Sequence, residues 1–237
     1  MRRRYIVKLV GRCVIFAACV LLVIFDPAQT DILRGMAFFE KFSPLHLLWL
    51  LWIADMAEQL FPVKKKIPLG SQKLFQLRFR PVRERLDRAA IRRYLVTTTK
   101  AAYWVMLLWG ALLFVLGWLY YGGIIGDSVL FLISVAFYVC DLICVLIWCP
   151  FRLMMKNRCC TTCRIFNWDH LMMFTPMMFI QGFFPLSLVL ISVAVWLVWE
   201  LFVLLYPERF WEGSNEALKC SACTDKLCTQ YCRKLRG

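Results

Sequence analysis

Two short intervals of the sequence bring together the residue types best suited to bind a metal. The first is "KNRCCTTCRIFNWDH", residues 156–170, which lies between two apolar stretches and contains the C-x2-C pair Cys160 and Cys163. The second is the C-terminal "KCSACTDKLCTQYCRKLRG", which opens with another such pair, Cys220 and Cys223. Four thiolates in two pairs are typical of a tetrahedral zinc site. The spacing therefore predicts a metal bound by Cys160, Cys163, Cys220 and Cys223.

Other ligand sets remain open. Cys228 and Cys232 follow in the tail, close enough for the tail to hold a metal by itself, and Cys159 and His170 are further candidate ligands. Iron–sulfur clusters also take four cysteines, although the tail lacks the common ferredoxin spacing and its proline. Zinc is the expected metal, an iron–sulfur cluster is the first alternative, and thiols without a metal are the second. Haem is not expected, because His46 and His170 are predicted at different membrane depths.

Four acidic residues lie within apolar stretches, where a charge is energetically costly. They are Asp55 and Glu58, three residues apart on one helical face, together with Asp141 and Glu200. If these side chains converge, they form a proton or cation path, or a polar cavity beneath the metal site. The plainer interpretation pairs them with a basic residue, either Arg12, Arg209 or Lys100, or lets them reach the membrane surface.

Apolar runs about 20 residues long determine where these groups lie, since an α-helix of that length crosses the hydrocarbon core of a bilayer. Hydrophobic residues make up 61% of the chain and charged residues 19%, against about half and about a quarter in soluble domains. We therefore predict an all-α, polytopic transmembrane helix bundle that forms a single membrane domain over residues 1–237. Its six predicted spans are residues 6–25, 42–61, 101–121, 128–149, 168–184 and 186–206.

Two of these predicted spans have alternative interpretations. The segment 168–184 is short, and Pro176, Gly182 and Pro185 interrupt or bound it, so a re-entrant segment is the alternative. The segment 6–25 follows a basic start, as a signal peptide does. However, no small-residue cleavage site precedes "DPAQT". An uncleaved membrane anchor is therefore expected.

The distribution of basic residues orients the spans. If the N-terminus is cytoplasmic and six spans alternate, only Arg34 and Lys41 of the 29 Lys and Arg residues lie outside, as the positive-inside rule requires. Both termini and a cysteine-rich face are then cytoplasmic. Thiols stay reduced in that compartment, so a metal is the usual reason for clustered cysteines. The count also favours a crossing at 168–184, because otherwise the basic tail would lie outside.

The basic loop 62–100 and the cysteine-rich tail 207–237 are the main predicted cytoplasmic pieces. In the loop, "KLFQLRFRP" alternates like a short strand that ends at Pro81, and "VRERLDRAAIRRYLV" has the pattern of a basic amphipathic helix. Such a helix is expected to lie on anionic lipid headgroups. Nucleic acid is not an expected partner, because no known nucleic-acid-binding motif accompanies the charge. Another membrane protein or a second copy of the chain remains a candidate partner.

Part of the sequence resembles a known group of proteins. The stretches "RCCTTCRIFNWDHLMMFTP" and "PERFWEGSNEALKCSACTDKLC", with the apolar region between them, are similar to multipass membrane proteins of anaerobic Gram-positive bacteria. The resemblance covers mainly the C-terminal third of the chain. It implies a bacterial cytoplasmic membrane as the location, and it brings no activity, ligand or residue role.

Three functional hypotheses follow, and an enzyme is not expected because the sequence has no phosphate loop, nucleophile elbow or zincin helix. The first is a membrane protein with a structural zinc site that serves assembly, regulation or transport. The second is an iron–sulfur subunit that passes electrons to the membrane. The third is a small-ion or proton-coupled transporter that uses Asp55, Glu58 and Asp141.

Overall fold

The structure is a computed structural model, and it describes residues 2–61, 79–82, 87–156 and 163–222. Within these ranges the chain is helical, with two isolated β-bridges and no strand, so the all-α prediction is confirmed for this part. The helices are α1 (Arg2–Phe25), α2 (Ala37–Glu40), α3 (Leu45–Leu60), α4 (Arg88–Tyr121), α5 (Asp127–Leu146), α6 (Pro150–Met154), α7 (Asp169–Phe174) and α8 (Phe183–Leu205). Single 3₁₀ segments are Pro27–Leu33, Ile165–Trp168, Thr175–Phe179, Pro207–Arg209, Glu216–Leu218 and Cys220–Ala222.

Four of the described helices, α1, α4, α5 and α8, are long and apolar enough to cross a membrane. Helix α4 starts at Arg88 rather than at residue 101, because the predicted amphipathic helix and the third predicted span form one continuous helix. Helix α3 has 16 residues, or about 24 Å at 1.5 Å per residue, which is less than the roughly 30 Å hydrocarbon core. Helix length therefore supports four of the six predicted spans.

The outer surface of the bundle is strongly apolar. Phe25 is 80% exposed, Phe114 is 76% exposed and Trp104 is 68% exposed. Soluble monomers rarely expose such extensive apolar surface to water, whereas contact between this surface and lipid tails has no such energetic cost. The centre is filled by large side chains, among which Trp52 and Trp199 are almost completely buried. The apolar exterior and the four long apolar helices are compatible with a membrane location.

The segment 165–182 connects the two ends of the bundle without forming one continuous helix. It consists of a 3₁₀ turn, the six residues of α7 and a second 3₁₀ turn that contains Pro176. At its start, the Trp168 indole N–H donates to Glu200 near the end of α8, whereas at its finish Gly182 pairs with Gly35 after α1. The interruption expected at Pro176 is therefore present, because the proline lacks the N–H that continues a helix.

Three contacts hold the end of the bundle where α1 finishes, which we call the opposite end. The Arg34 guanidinium is paired with the buried Asp127 carboxylate, which also accepts a hydrogen bond from Tyr120 at 2.9 Å. The hydrogen bond to Asp127 raises the pKa of Arg34 above its usual value. Gly35, at φ +54°, and Gly182 pack backbone against backbone, and a Cβ at Gly182 would lie 2.0 Å from the Leu33 carbonyl oxygen.

The end where α1 begins, which we call the basic end, carries a second set of contacts between distant parts of the chain. The Glu216 N–H donates to the Arg80 carbonyl at 2.8 Å, and Pro81 pairs with Asn215 in an isolated antiparallel bridge. The Tyr94 ring stacks on Trp211 at 5.6 Å between ring centroids. The predicted loop and tail therefore contact each other. The strand predicted before Pro81 lies mainly outside the described residues.

Candidate functional site

Arg12 of α1 reaches across to α5 inside the bundle. Its Nη1 donates to Asp141 Oδ2 and to the Tyr138 carbonyl oxygen, each at 2.7 Å. Its Cζ lies 3.8 Å from the centroid of the Tyr138 ring. The Arg12 and Asp141 side chains are 13% and 16% exposed. A guanidinium suits this position because its planar fork can bond two acceptors while its face lies on an aromatic ring.

A second carboxylate, from α3, joins this pair. Asp55 Oδ2 lies 3.9 Å from Arg12 Nη2 and accepts a hydrogen bond from the Tyr138 hydroxyl at 3.2 Å. Tyr138 and Asp141 are three residues apart on α5, so the helical repeat places both on the face that meets α1 and α3. The sequence thus positions two carboxylates from different helices around a single guanidinium.

The third carboxylate belongs to Asp169, the first residue of α7. Its Oδ1 accepts from the His170 backbone N–H at 2.8 Å and lies 3.1 Å from His170 Nδ1, while its Oδ2 accepts from Gln59 at 2.9 Å. Both side chains are nearly buried, with 12% of Asp169 and 6% of His170 exposed. The second ring nitrogen, His170 Nε2, is buried without a hydrogen-bond partner among the described residues.

These groups form one electrostatic unit, which we call the acidic cluster: Arg12, Asp55, Tyr138, Asp141, Asp169 and His170. Asp141 interacts electrostatically with both Asp169 and His170, and His170 also interacts with Asp55. Within the described ranges, Arg12 is the only Lys or Arg ion-paired with these three carboxylates. With all three ionised and His170 neutral, negative charge is therefore in excess inside the bundle. Buried charge needs a compensating partner, and a proton is the partner that His170 and the carboxylates can accept.

A cavity of about 360 Å³ lies beside the acidic cluster, between α4, α5, α6 and α7. Among the described residues of its wall, Asp141 and Asp169 are the only charged ones. Most of the wall is apolar, and five aromatic side chains contribute to it: Trp109, Phe137, Trp148, Phe151 and Phe166. Four cysteines also lie in the wall: Cys140, Cys144, Cys149 and Cys163. The volume and the aromatic lining are typical of a small-molecule site.

The four carboxylates predicted from the sequence do not all meet. Asp55 and Asp141 are brought together by Arg12, whereas Glu58 lies on the exposed surface of α3. Glu200 belongs to a separate group near the basic end, where it is ion-paired with Arg164 and accepts from the Trp168 indole at 2.7 Å. Glu200 therefore has an internal partner of its own.

The predicted metal ligands lie mainly beyond the described residues: Cys159, Cys160, Cys223, Cys228 and Cys232. Cys163 is buried in the cavity wall, and Cys220 begins a 3₁₀ turn. Within the described ranges, no three His, Cys, Asp or Glu residues are arranged to hold a metal ion. This part of the chain gives zinc no support, so zinc and iron–sulfur stay predictions. His170, an alternative ligand, contacts Asp169 instead.

Sequence reasoning identified Arg12 as a candidate partner for the intramembrane acids but missed Asp169 and Gln59. A carboxylate at the edge of an apolar run normally meets water, so Asp169 gave no sign of burial by its position. The adjacent Asp169–His170 pair, next to a short and proline-broken apolar segment, was the available signal. From the sequence, His170 was expected either to bind zinc or to be hydrogen-bonded locally in the first turn of a helix after Asn167.

Comparison with known proteins identifies no relative of this chain. No family model, no curated protein and no solved structure matches the chain. The resemblance to multipass proteins of anaerobic Gram-positive bacteria therefore stays a prediction, and the case for a function depends on the acidic cluster and the cavity beside it.

Proposed function

We propose that the chain is a multipass membrane protein that binds a proton at the acidic cluster and uses this site in proton-coupled transport. The observation that carries the proposal is the charge balance. Two carboxylates from separate helices lie beside one permanent cation, and the third carboxylate, Asp169, lies beside the titratable His170. Chains of Asp, Glu and His inside a membrane bundle are typical of proton pathways in pumps and transporters.

A purely structural ion pair is the main rival, and it explains only part of the cluster. Arg12 and Asp141 together are a complete pair, with two hydrogen bonds fixing the guanidinium. That pair does not account for Asp55, whose side chain is 28% exposed, or for Asp169, whose charge is matched only when His170 is protonated. Removing charges from water is expensive unless each is matched. A proton that binds to and leaves the cluster accounts for the surplus, whereas a fixed ion pair does not.

A small metal cation is a weaker occupant than a proton. Asp169 already uses both carboxylate oxygens, one on His170 and one on Gln59. Asp141 Oδ2 already bonds Arg12, and Asp55 Oδ2 already accepts from the Tyr138 hydroxyl, so these carboxylates leave a metal few free oxygen ligands. Hard cations prefer several oxygen ligands free of other positive charge. The chemistry of the donor set therefore favours proton exchange.

Contacts at the two ends of the bundle support the prediction that the chain crosses the membrane six times. Helix α3 contacts the start of α8 through Trp49 and Ser187 at 2.9 Å, and it contacts the start of α7 through Gln59 and Asp169. The segment 165–182 also runs between the two ends. Irregular backbone at membrane depth is tolerated where protein buries it, and most of this segment is buried. A short helix such as α3 is accommodated by local bilayer thinning.

The positions of the basic intervals support cytoplasmic termini. The Arg164 guanidinium donates to Glu200 and Thr99, and the Glu216 backbone N–H donates to the Arg80 carbonyl oxygen. Three basic intervals of the chain, 62–100, 150–167 and 207–237, therefore meet at the basic end. The positive-inside rule then places that end in the cytoplasm. The acidic cluster lies in the cytoplasmic half of the bundle in this orientation, and the proposed location is a bacterial cytoplasmic membrane.

Proton binding can be tested by nitrogen-15 labelling of histidine, because the chain has only two histidines. In full-length protein in lipid nanodiscs, the His46→Gln variant assigns the remaining signal to His170. We expect the His170 signal to change with pH, because imidazole is the side chain that most readily exchanges a proton near neutral pH, and we expect Asp141→Asn to alter that titration. Asp31→Asn, which removes an exposed carboxylate paired with Lys41, is the matched control and should leave it unchanged. A His170 signal that responds to neither pH nor Asp141→Asn would overturn the proposal.

A further inference from the structure

We propose that the cavity beside the acidic cluster binds an amphiphilic organic cation, and that this cation displaces the proton of the cluster. The inference rests on the proposed function and names the class of substrate for the same site. Its starting point is the combination of a partly open, aromatic-lined cavity and a carboxylate in its wall. Among the described residues, the wall offers no positively charged side chain that could receive an anion.

The size and lining of the cavity define the apolar part of the ligand. About 360 Å³ is within the range of pockets that hold drug-sized molecules. Phe137 and Trp109 lie on neighbouring helices with their ring centroids 5.2 Å apart, so they present a connected aromatic surface. Trp109 is held in place by the hydrogen bond from its indole N–H to Thr175 at 3.0 Å. A ligand with flat or aryl apolar groups matches this surface.

Asp141 defines the charged part of the ligand. Its bond to Arg12 uses Oδ2, so Oδ1 is the oxygen left to face a bound group. Asp169, the other acid in the wall, has both oxygens engaged by His170 and Gln59. A cation near Asp141 would gain attraction from the surplus negative charge and from the aromatic faces. A delocalised organic cation fits best, because it loses little hydration when it enters an apolar space.

A neutral lipid tail and an organic anion are poorer occupants. A lipid tail would fill the apolar volume but leave the surplus negative charge of the acidic cluster unmatched. An anion would be placed against two carboxylates, and like charges in a low-dielectric site repel strongly. The cation and the proton instead compensate the same negative charge, so they exclude each other. One proton leaves to water when one monovalent cation enters, and the charge of the site stays constant.

The test uses tetraphenylphosphonium, a monovalent aryl cation, with the full-length chain in lipid nanodiscs and empty nanodiscs as background. Equilibrium dialysis of the radiolabelled cation gives its affinity at several pH values. We expect saturable binding that weakens by up to about tenfold for each unit of pH lowered below the titration of the cluster, as displacement of one proton requires. Tetraphenylborate has nearly the same shape and the opposite charge, and it should not bind. Equal binding of the two ions would overturn the inference.

Two variants separate a charge effect from misfolding. Asp141→Asn is expected to weaken binding of tetraphenylphosphonium at least tenfold and to abolish its pH dependence. Asp141→Glu keeps the charge and is expected to retain pH-dependent binding. Asp31→Asn, at the exposed pair with Lys41, should behave as wild type. Wild-type binding by Asp141→Asn would overturn the inference.

The histidine titration and the dialysis together distinguish the cavity inference from the proposed function. If His170 titrates and responds to Asp141→Asn but the cation does not bind at any pH, the cavity inference is wrong and the proton site stands. If the cation binds equally at every pH and His170 does not titrate, both proton exchange and the proposed function are wrong. Competition between the cation and the proton, seen in dialysis and in the histidine signal of the same sample, supports both.

Discussion

Arg12 and Asp141 form a 2.7 Å ion pair that joins α1 to α5 across the interior of the bundle, with both side chains largely buried. Helix α1 otherwise carries many exposed apolar side chains. Lipid tails are as apolar as leucine, so burying apolar surface against another helix contributes little specificity to helix packing in a membrane. The buried pair supplies the specific contact that fixes the rotation of α1 about its axis. It also places the one permanent cation of the acidic cluster beside two carboxylates.

Loss of Arg12 is therefore expected to destabilise the protein more than loss of a surface pair. Arg12→Leu leaves Asp141 and Asp55 without their cation, and breaking a buried pair by removing one partner costs roughly 3–5 kcal/mol. Lys41→Leu is the matched control, because Lys41 and Asp31 are about half exposed and such pairs contribute at most about 1 kcal/mol. Unfolding in detergent, followed by circular dichroism, measures both. Equal losses for the two variants would contradict a structural role for Arg12.

The contact between Gly35 and Gly182 predicts a position at the opposite end that accepts no side chain. In Gly182→Ala the new Cβ would meet the Leu33 carbonyl oxygen at 2.0 Å, so the backbone must separate. The hydrogen bonds between Gly35 and its neighbours Gln181 and Phe183 would then be lost. We expect a lower melting temperature and a smaller yield of folded protein.

The control for this substitution is Gly126→Ala at the start of α5. A Cβ there has no neighbour within 4 Å, and its φ is −103°, which an alanine adopts freely. A melting temperature close to wild type is therefore expected for Gly126→Ala. If Gly182→Ala is as stable as Gly126→Ala, the close approach of the two backbones is wrong.

The sequence predicted the parts of the fold that length and hydropathy decide. Helices α1, α5 and α8 coincide with apolar runs, and Pro176 marked the break inside 168–184. The start of α4 was misplaced because no glycine or proline separates Arg88 from the apolar run, so the helix continues past the change in polarity. Hydropathy responds to such changes, whereas helix termination depends on caps and breakers.

The acidic cluster was predictable only in part, because burial of a carboxylate depends on how helices rotate and pack. Asp55 and Glu58 share a face by spacing, yet Asp55 is partly buried against Tyr138 while Glu58 is exposed. Asp169 entered the cluster because α7 is short and begins inside the bundle, which no periodicity indicates. Charge in an apolar run thus identifies candidates, and tertiary packing selects among them.

The metal prediction concerns ligands beyond the described residues, and composition can test it directly. We expect about one zinc per chain in protein purified without oxygen, and a colourless solution. A brown sample that absorbs near 400 nm would instead favour the iron–sulfur alternative. Cys160→Ser and Cys223→Ser should each lower the bound metal, because a four-thiolate site loses a ligand in either variant.

The control for the metal measurement is Cys13→Ser. Cys13 is an exposed thiol on α1, within an apolar helix and outside both cysteine-rich intervals, so its loss should leave the metal content unchanged. Metal retained by Cys160→Ser but lost by Cys223→Ser would place the site in the tail alone. Wild-type protein free of zinc and iron would show that the thiols hold no metal.

The last prediction concerns the segment 165–182, whose crossing decides the side on which the tail lies. It connects Glu200 at the basic end with Gly35 at the opposite end, so we expect it to traverse the bilayer although it contains no long helix. A reporter that is active only outside the cytoplasm, fused after Lys156 or after Gly237, should be inactive. In the full-length chain, Gln181→Cys should be labelled by a membrane-impermeant thiol reagent added outside intact cells, because the Gln181 side chain is exposed beside the opposite end. Activity of the reporter after Gly237 together with no labelling of Gln181→Cys would mean that the segment turns back, and it would place the cysteine-rich tail outside the cytoplasm.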